Sequence, residues 1–401
     1  MIPSKCFAVL FSLPFAVLSF IAAAHAATPD PVPSSGQQPF ELVRSLQAVQ
    51  DGIASGDAAA HSGHLALIRQ VGEKFLAADP EVWSNPKNGQ AVVVYLLSGG
   101  TPQVVRKLPR DRLNVDERLF NGALAYVEGR QDEARELLKD VKLREIPLSM
   151  SGQIALVLGA LLSTSDASIA IERLDDARLL LPGTLVEEAA LRREIVLVGQ
   201  AEDFDKFEFL TLAYVRHYRN SVYAGDFWQR FSSVLTRTSL ALDERRFPRI
   251  VALLDQLDRA SRLKFYLTIS KVALVRGRIA VVRLAGEQAL PLSPDGSAER
   301  ERSHLFRGAA RALTDEYEGG LAELKAIERS KLVEPDVRLL NATLQLAFDV
   351  RKPVAASLAG AAADKPPPTP ARLDLSPSTT TLARAQQQLS ELELLTKDRR
   401  P

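Results

Sequence analysis

Two histidines three residues apart, His61 and His64, stand where one helix face could offer both imidazoles to a metal ion. They lie in Ala-His-Ser-Gly-His with Asp57 as the nearby carboxylate, and the single cysteine is the distant Cys6, so further ligands are missing. A solvated loop or helix start accounts for the pair better than a metal site. Three neighbouring carboxylate pairs, Asp175-Asp176, Glu187-Glu188 and Glu202-Asp203, are of the type that acid–base cleavage of a glycan uses. Adjacent helical positions diverge by about 100°, however, so such pairs ordinarily mark a solvated face or a helix N-terminus. No His-Glu-x-x-His, Gly-x-Ser-x-Gly or phosphate-cradling glycine loop occurs, which leaves no catalytic, metal or cofactor site to assign.

One stretch is dense in a different chemistry. Between Tyr214 and Phe231, eighteen positions hold three tyrosines, two phenylalanines, a tryptophan and three arginines. Aromatic rings and arginine dominate binding hot spots because they bring large contact area together with a polar handle. The candidate contact surface is therefore this region, through Tyr218, Tyr223 and Trp228, together with Glu187, Glu188, Arg192 and Arg193 just before it. A structural reading stands beside it: Val215, Tyr218, Phe227 and Phe231 would fill a corner between two helices. As a contact surface, it predicts that alanine at Arg192, Arg193 or Trp228 weakens partner binding and leaves the chain folded.

These residues need a scaffold, and the composition supplies one. With 46% hydrophobic and 25% charged residues, the 401-residue chain can bury enough apolar surface to offset its conformational entropy. The first 26 residues read as a secretory signal, with Lys5 before an apolar run from Phe7 to about Ala23 and Ala24-His25-Ala26 as the cleavage site. Cleavage after Ala26 delivers a periplasmic protein with no transmembrane segment and no thiol. Without Lys5, the 50 basic residues become 49 against 49 acidic ones, a neutral balance that gives no sign of a nucleic-acid partner. Residues 27–38 are a Pro- and Ser-rich leader, 353–381 a Pro/Ala/Ser/Thr-rich linker, and 382–401 carry a short terminal helix over 382–397.

Between these flanks, residues 39–352 repeat their apolar positions at three- and four-residue spacing, the helical period. Val92-Val93-Val94-Tyr95 is the best strand candidate, yet Asn85-Pro86 before it and Gly99-Gly100 after it are helix punctuation. Thr101-Pro102 opens a short helix, Leu181-Pro182-Gly183 closes another, and Thr184 with Glu187 makes a capping box. Three segments carry a hairpin grammar of small residues set against large ones. They turn at Gly129-Arg130, Gly277-Arg278 and Gly319-Gly320, with Gly122-Ala123, Ala285 and Gly308-Ala309 as the small positions. The expected fold is all-α, a degenerate tetratricopeptide-like helical-hairpin solenoid, with a compact helix bundle as the structural rival.

Several segments together carry a family resemblance: Phe40 to Asp51, Phe75 to Pro80, Leu96 to Gly100, Leu119 to Gly129, Pro182 to Glu194, and Asp205-Lys-Phe207 through Ser221-Val-Tyr-Ala-Gly225. Over residues 38 to 350 the chain resembles the periplasmic flagellar motility proteins of the MotC family of rhizobia and related alphaproteobacteria. That resemblance implies a periplasmic protein required for flagellar rotation, acting through the periplasmic region of the stator protein MotB and affecting torque coupling or energy flux. It carries no residue-level site. Two other classes compete: a general periplasmic adaptor for envelope assembly, and a peptidoglycan-cleaving enzyme built on a helical superhelix like the lytic transglycosylases. The second lacks the Glu-Ser context of those enzymes.

Overall fold

The computed structural model describes residues 37–351, which contain seventeen α-helices and no strand. Hairpins follow one another: α1 (Pro39–Ser55) with α2 (Ala58–Ala77), α3 (Pro86–Leu97) with the short α4 (Pro102–Arg106), and α5 (Glu117–Val127) with α6 (Gln131–Leu138). Next come α7 (Leu148–Leu162) with α8 (Ala167–Leu180), and α9 (Leu185–Gln200) with α10 (Phe204–Tyr218). Then α11 (Ala224–Arg237) leads to α12 (Phe247–Leu254), which packs on α10, and α13 (Arg259–Val275) pairs with α14 (Ile279–Ala289). Last are α15 (Ala298–Ala312) with α16 (Tyr317–Lys325), and α17 (Glu334–Arg351). Two compact units meet in sequence at Leu340 and Asn341, and the second enters the described residues only as the end of α17. The segments expected as signal peptide (1–26), most of the leader (27–38), linker (353–381) and short terminal helix (382–397) lie outside the described residues.

Within the first unit the odd-numbered helices form a continuous inner layer, α3 touching α1, α5 and α7, and α9 touching α7 and α11. The expected helical-hairpin solenoid is therefore present, with departures from nearest-neighbour stacking, the first being the α3–α7 contact past α5. Helix α1 also packs on α9 and α10, and Asp51 Oδ1 accepts the Leu185 backbone N–H at 3.2 Å. Two core clusters result, one built from α1 to α8 and one from α10 onward with Ala54 of α1, and α9 serves both. Its Ala190 and Leu197 face the first, and Leu191, Ile195 and Val198 the second.

Val92 to Tyr95 lie in the middle of α3 and are buried on every side. Burial all round explains why the segment lacks a polar stripe and looks strand-like in sequence. Asn85 caps it as expected, its side chain accepting from Lys87 N. Gln38 belongs to the fold and not to the leader: it N-caps α1, its N–H held by Glu41 Oε2 at 2.9 Å and its Oε1 accepting from the buried Asn88 at 2.9 Å. The hydroxyl of Thr184 accepts from Val186 N and Glu187 N. Glu187, however, reaches the Gly183 N–H at 2.6 Å, one residue short of the reciprocal box. The Gly129 and Gly277 turns fall where expected, both with positive φ.

The third turn does not. It occupies Leu313 to Glu316, and Gly319 and Gly320 lie inside α16. Their role is close approach: a Cβ on Gly320 would stand 2.2 Å from the Ala312 backbone nitrogen, whereas one on Gly319 would meet only the mobile end of Arg311. Gly320→Val is accordingly expected to lower stability by about 3 kcal/mol, with Gly319→Ala close to neutral. A denaturant titration in which both variants unfold with the wild-type midpoint would show that α15 and α16 need no such contact.

Candidate functional site

Helix α9 carries two acidic residues whose surroundings the sequence did not reveal, Glu188 and Glu194, both fully buried. Glu188 Oε1 accepts from Tyr214 Oη at 2.7 Å and Ser221 Oγ at 3.2 Å, while Oε2 accepts from Arg192 Nε at 2.9 Å. The Arg192 Nη1 continues to Asp226 Oδ2 at 2.8 Å, which Arg230 Nε also reaches at 2.8 Å. Burial alone would lower the Arg192 pKa, yet Glu188 and Asp226 hold its guanidinium above the usual range. Glu188 is thus no solvated neighbour of Glu187. It is the anchor that ties α9, α10 and α11 together.

The other predicted contact residues distribute around this anchor. Tyr218 is buried, its hydroxyl donating to Glu187 Oε2 at 2.7 Å, and burial followed by the Glu187 carboxylate raises its pKa far above the usual phenol. Tyr223 is partly buried, with the Arg192 guanidinium 4.6 Å from its ring centre. Trp228 presents its ring edgewise to Phe227 and Phe231, 5.2 and 5.3 Å away between centres. Val215, Tyr218, Phe227 and Phe231 are all buried, so they fill the helix corner as the structural reading expects. Glu188 and Tyr218 consequently support the surface from beneath and do not form its outer face.

Glu194 points into a second charged cluster. Arg178 Nε stands 2.8 Å from Oε2 and Lys206 Nζ 3.0 Å from Oε1, with Asp175 bonded to both cations. Burial outweighs these partners and pushes the Glu194 carboxyl up to about 7. The clue in the sequence is its position: a carboxylate among Leu191, Ile195 and Val198 lies on the apolar side of the helix. The remaining acidic pairs have ordinary roles. Asp203 caps α10 and Glu202 accepts from Ser239.

Arg192, Arg193 and Tyr223 line a half-open cavity of about 240 Å³ between helices α1, α3, α5, α7 and α9. Gln50 of α1, Ser98 at the end of α3, Tyr126 of α5 and Gln153 of α7 complete its polar wall, and Leu156, Val157, Leu185 and Val186 its apolar one. Gln50 Nε2 donates to Ser98 O at 3.0 Å and lies 3.1 Å from His64 Nε2. Burial, then the neighbouring His61, hold the His64 pKa below the usual imidazole value, so the ring is neutral and can accept that bond. His61 and His64 therefore buttress a wall, and no metal-binding cluster occurs among the described residues. Two larger surface grooves, near Asp175 and near Glu202, contain none of the predicted contact residues.

The profile of the family described as "Chemotaxis protein MotC" matches residues 2–401. The chain belongs to the MotC family. Among curated relatives, the chemotaxis protein MotC of Rhizobium meliloti (strain 1021) is 30% identical over 319 residues, covering 79% of this chain and 73% of that protein. No solved structure matches the chain. Membership of the MotC family assigns a motility- or chemotaxis-related role, and the family is one of motility accessory proteins and not a known enzyme family. No helix among the described residues is long and apolar enough to cross a membrane.

The cavity of this MotC-family chain was not legible as a unit. Gln50, Ser98, Tyr126 and Gln153 come from four hairpins and share no spacing in sequence. Only Arg192, Arg193 and Tyr223 carried a compositional signal.

Proposed function

We propose that this MotC-family protein acts from the periplasm as an accessory of flagellar rotation, docking on the periplasmic region of the stator protein MotB and affecting torque coupling or energy flux. The observation that carries the proposal is the family match along residues 2–401. Three features support it. The N-terminal 26 residues have the charge, apolar core and small-x-small end of an export signal. The odd-numbered helices offer one wall assembled from several hairpins, the kind of surface on which helical-repeat scaffolds bind. The Arg192–Tyr223 contact puts hot-spot residue types on that wall.

On this reading the protein works by binding alone, as a non-enzymatic adaptor. Deleting the gene should leave assembled filaments on cells that do not swim, and the periplasmic region of MotB should co-purify with the exported protein, whose N-terminus should be Ala27. Normal swimming of the deletion strain would reject the motor role. Recovery of envelope-assembly proteins without MotB would favour the general adaptor.

A further inference from the structure

The charges around the cavity do not balance. Three guanidiniums, of Arg192, Arg193 and Arg230, meet two carboxylates, of Glu188 and Asp226, and both carboxylates are taken by Arg192 and Arg230. Arg193 has no ion-pair partner among the described residues; its Nη1 donates to the Ala189 carbonyl at 3.3 Å. Burial, opposed by Tyr126 and reinforced by the Arg192 and Arg230 charges, draws its pKa below the ordinary guanidinium value, although an arginine stays charged at neutral pH. No acidic residue lines the cavity. A second cavity of about 380 Å³, on the far side of Arg193 toward Ser163 and Gln200, also has none. Arg193 is thus the common wall of two cavities that contain cations and no anions.

A second orphan lies in the first cavity. Gln153 is 5% exposed, its Nε2 donates to Ser98 Oγ at 3.1 Å, and its Oε1 has no hydrogen-bond partner. An unmet buried amide costs free energy unless a ligand completes it. An inorganic anion would satisfy Arg193 and leave an amide oxygen unanswered. A peptide carries both a side-chain carboxylate and backbone N–H groups.

We propose that the inner face binds an acidic peptide segment, with its carboxylate on Arg193 and its backbone N–H on Gln153. This deepens the docking reading for the same surface by naming the chemistry of the partner's segment, and the two fail separately. Swimming of the deletion strain tests the motor role, and peptide titration tests the ligand.

The test uses the protein purified from exporting cells and two blocked pentapeptides, acetyl-Ala-Glu-Ala-Glu-Ala-amide and its glutamine counterpart, titrated by calorimetry. The acidic peptide should bind about tenfold or more tightly than the glutamine one, the margin of a charge-assisted over a neutral hydrogen bond. Arg193→Gln should erase that preference with circular dichroism unchanged, and Gln153→Leu should weaken both peptides while keeping it. Comparing the two peptides on the unaltered protein needs no variant, so a misfolded variant leaves the test intact. Equal affinity for the two peptides, no binding of the acidic one, or a preference that survives Arg193→Gln would overturn the proposal. So would free glutamate binding as tightly as the acidic peptide, since the site would then be one for a small acid.

Discussion

Arg192→Ala is expected to destabilise the protein by about 3–5 kcal/mol, because it strands a fully buried carboxylate without its counter-ion. The Arg192 side chain is 14% exposed and Glu188 wholly enclosed, so water cannot replace the lost guanidinium. Tyr214 and Ser221 would still donate to Glu188, but two neutral hydroxyls do not compensate a charge out of water. The double variant Glu188→Gln with Arg192→Met should recover much of the loss, since a buried ion pair replaced as a whole by neutral groups of similar size is often tolerated. Arg193→Met, one residue along, should leave stability unchanged or raised, since no carboxylate depends on it. Chemical unfolding of the four proteins decides the matter: equal losses for Arg192→Ala and Arg193→Met would remove the distinction between an anchoring and a docking arginine. The sequence-based expectation that Arg192→Ala spares the fold is revised accordingly.

The second large effect is a pH dependence from Glu194. Its carboxyl titrates at about 7 in the folded chain, against about 4.3 for an unperturbed glutamate. The folded state therefore binds a proton that the unfolded state has released between these values. The stability this adds is complete below pH of about 4.3 and is lost as pH rises through about 7, amounting to about 4 kcal/mol. His64, drawn down by burial, works in the opposite sense near neutrality, and Asp175, held low against burial by Lys206 and Arg178, acts only in acid. The Glu194 contribution is thus the difference between wild type and Glu194→Gln, compared from pH 5 to pH 8. The variant should lack the downward slope. Identical slopes in the two proteins would mean that Arg178 and Lys206 keep Glu194 ionised throughout.

A pH-responsive cluster on one side of α9 and an anchored arginine on the other give that helix two roles at once. It joins the two apolar cores through Ala190, Leu197 and Leu191, Ile195, Val198. It also carries Arg192 and Arg193 to the cavity wall. A change that loosens α9 should therefore reach both stability and docking, and measuring folding beside binding is necessary for every variant on it.

By itself the sequence determined the helical class, the punctuation of most hairpins and the family. Helical period, Asn85-Pro86 and the turns at Gly129 and Gly277 are local properties, set within a few residues by backbone sterics and capping. Tertiary structure decided the rest, because burial and pairing depend on residues far apart in the chain. Glu187 and Glu188 look alike in sequence, yet one caps a helix start and the other meets Tyr214, Ser221 and Arg192 in the interior. Gly319-Gly320 reads as a turn until α15 is placed against it, when Gly320 becomes the point of closest approach. The cavity is assembled by α1, α3, α5, α7 and α9, whose packing brings Gln50, Ser98, Tyr126, Gln153 and Arg193 together. The near balance of charge along the chain is a sum over the sequence, whereas the lack of a carboxylate partner at Arg193 is a fact of distance.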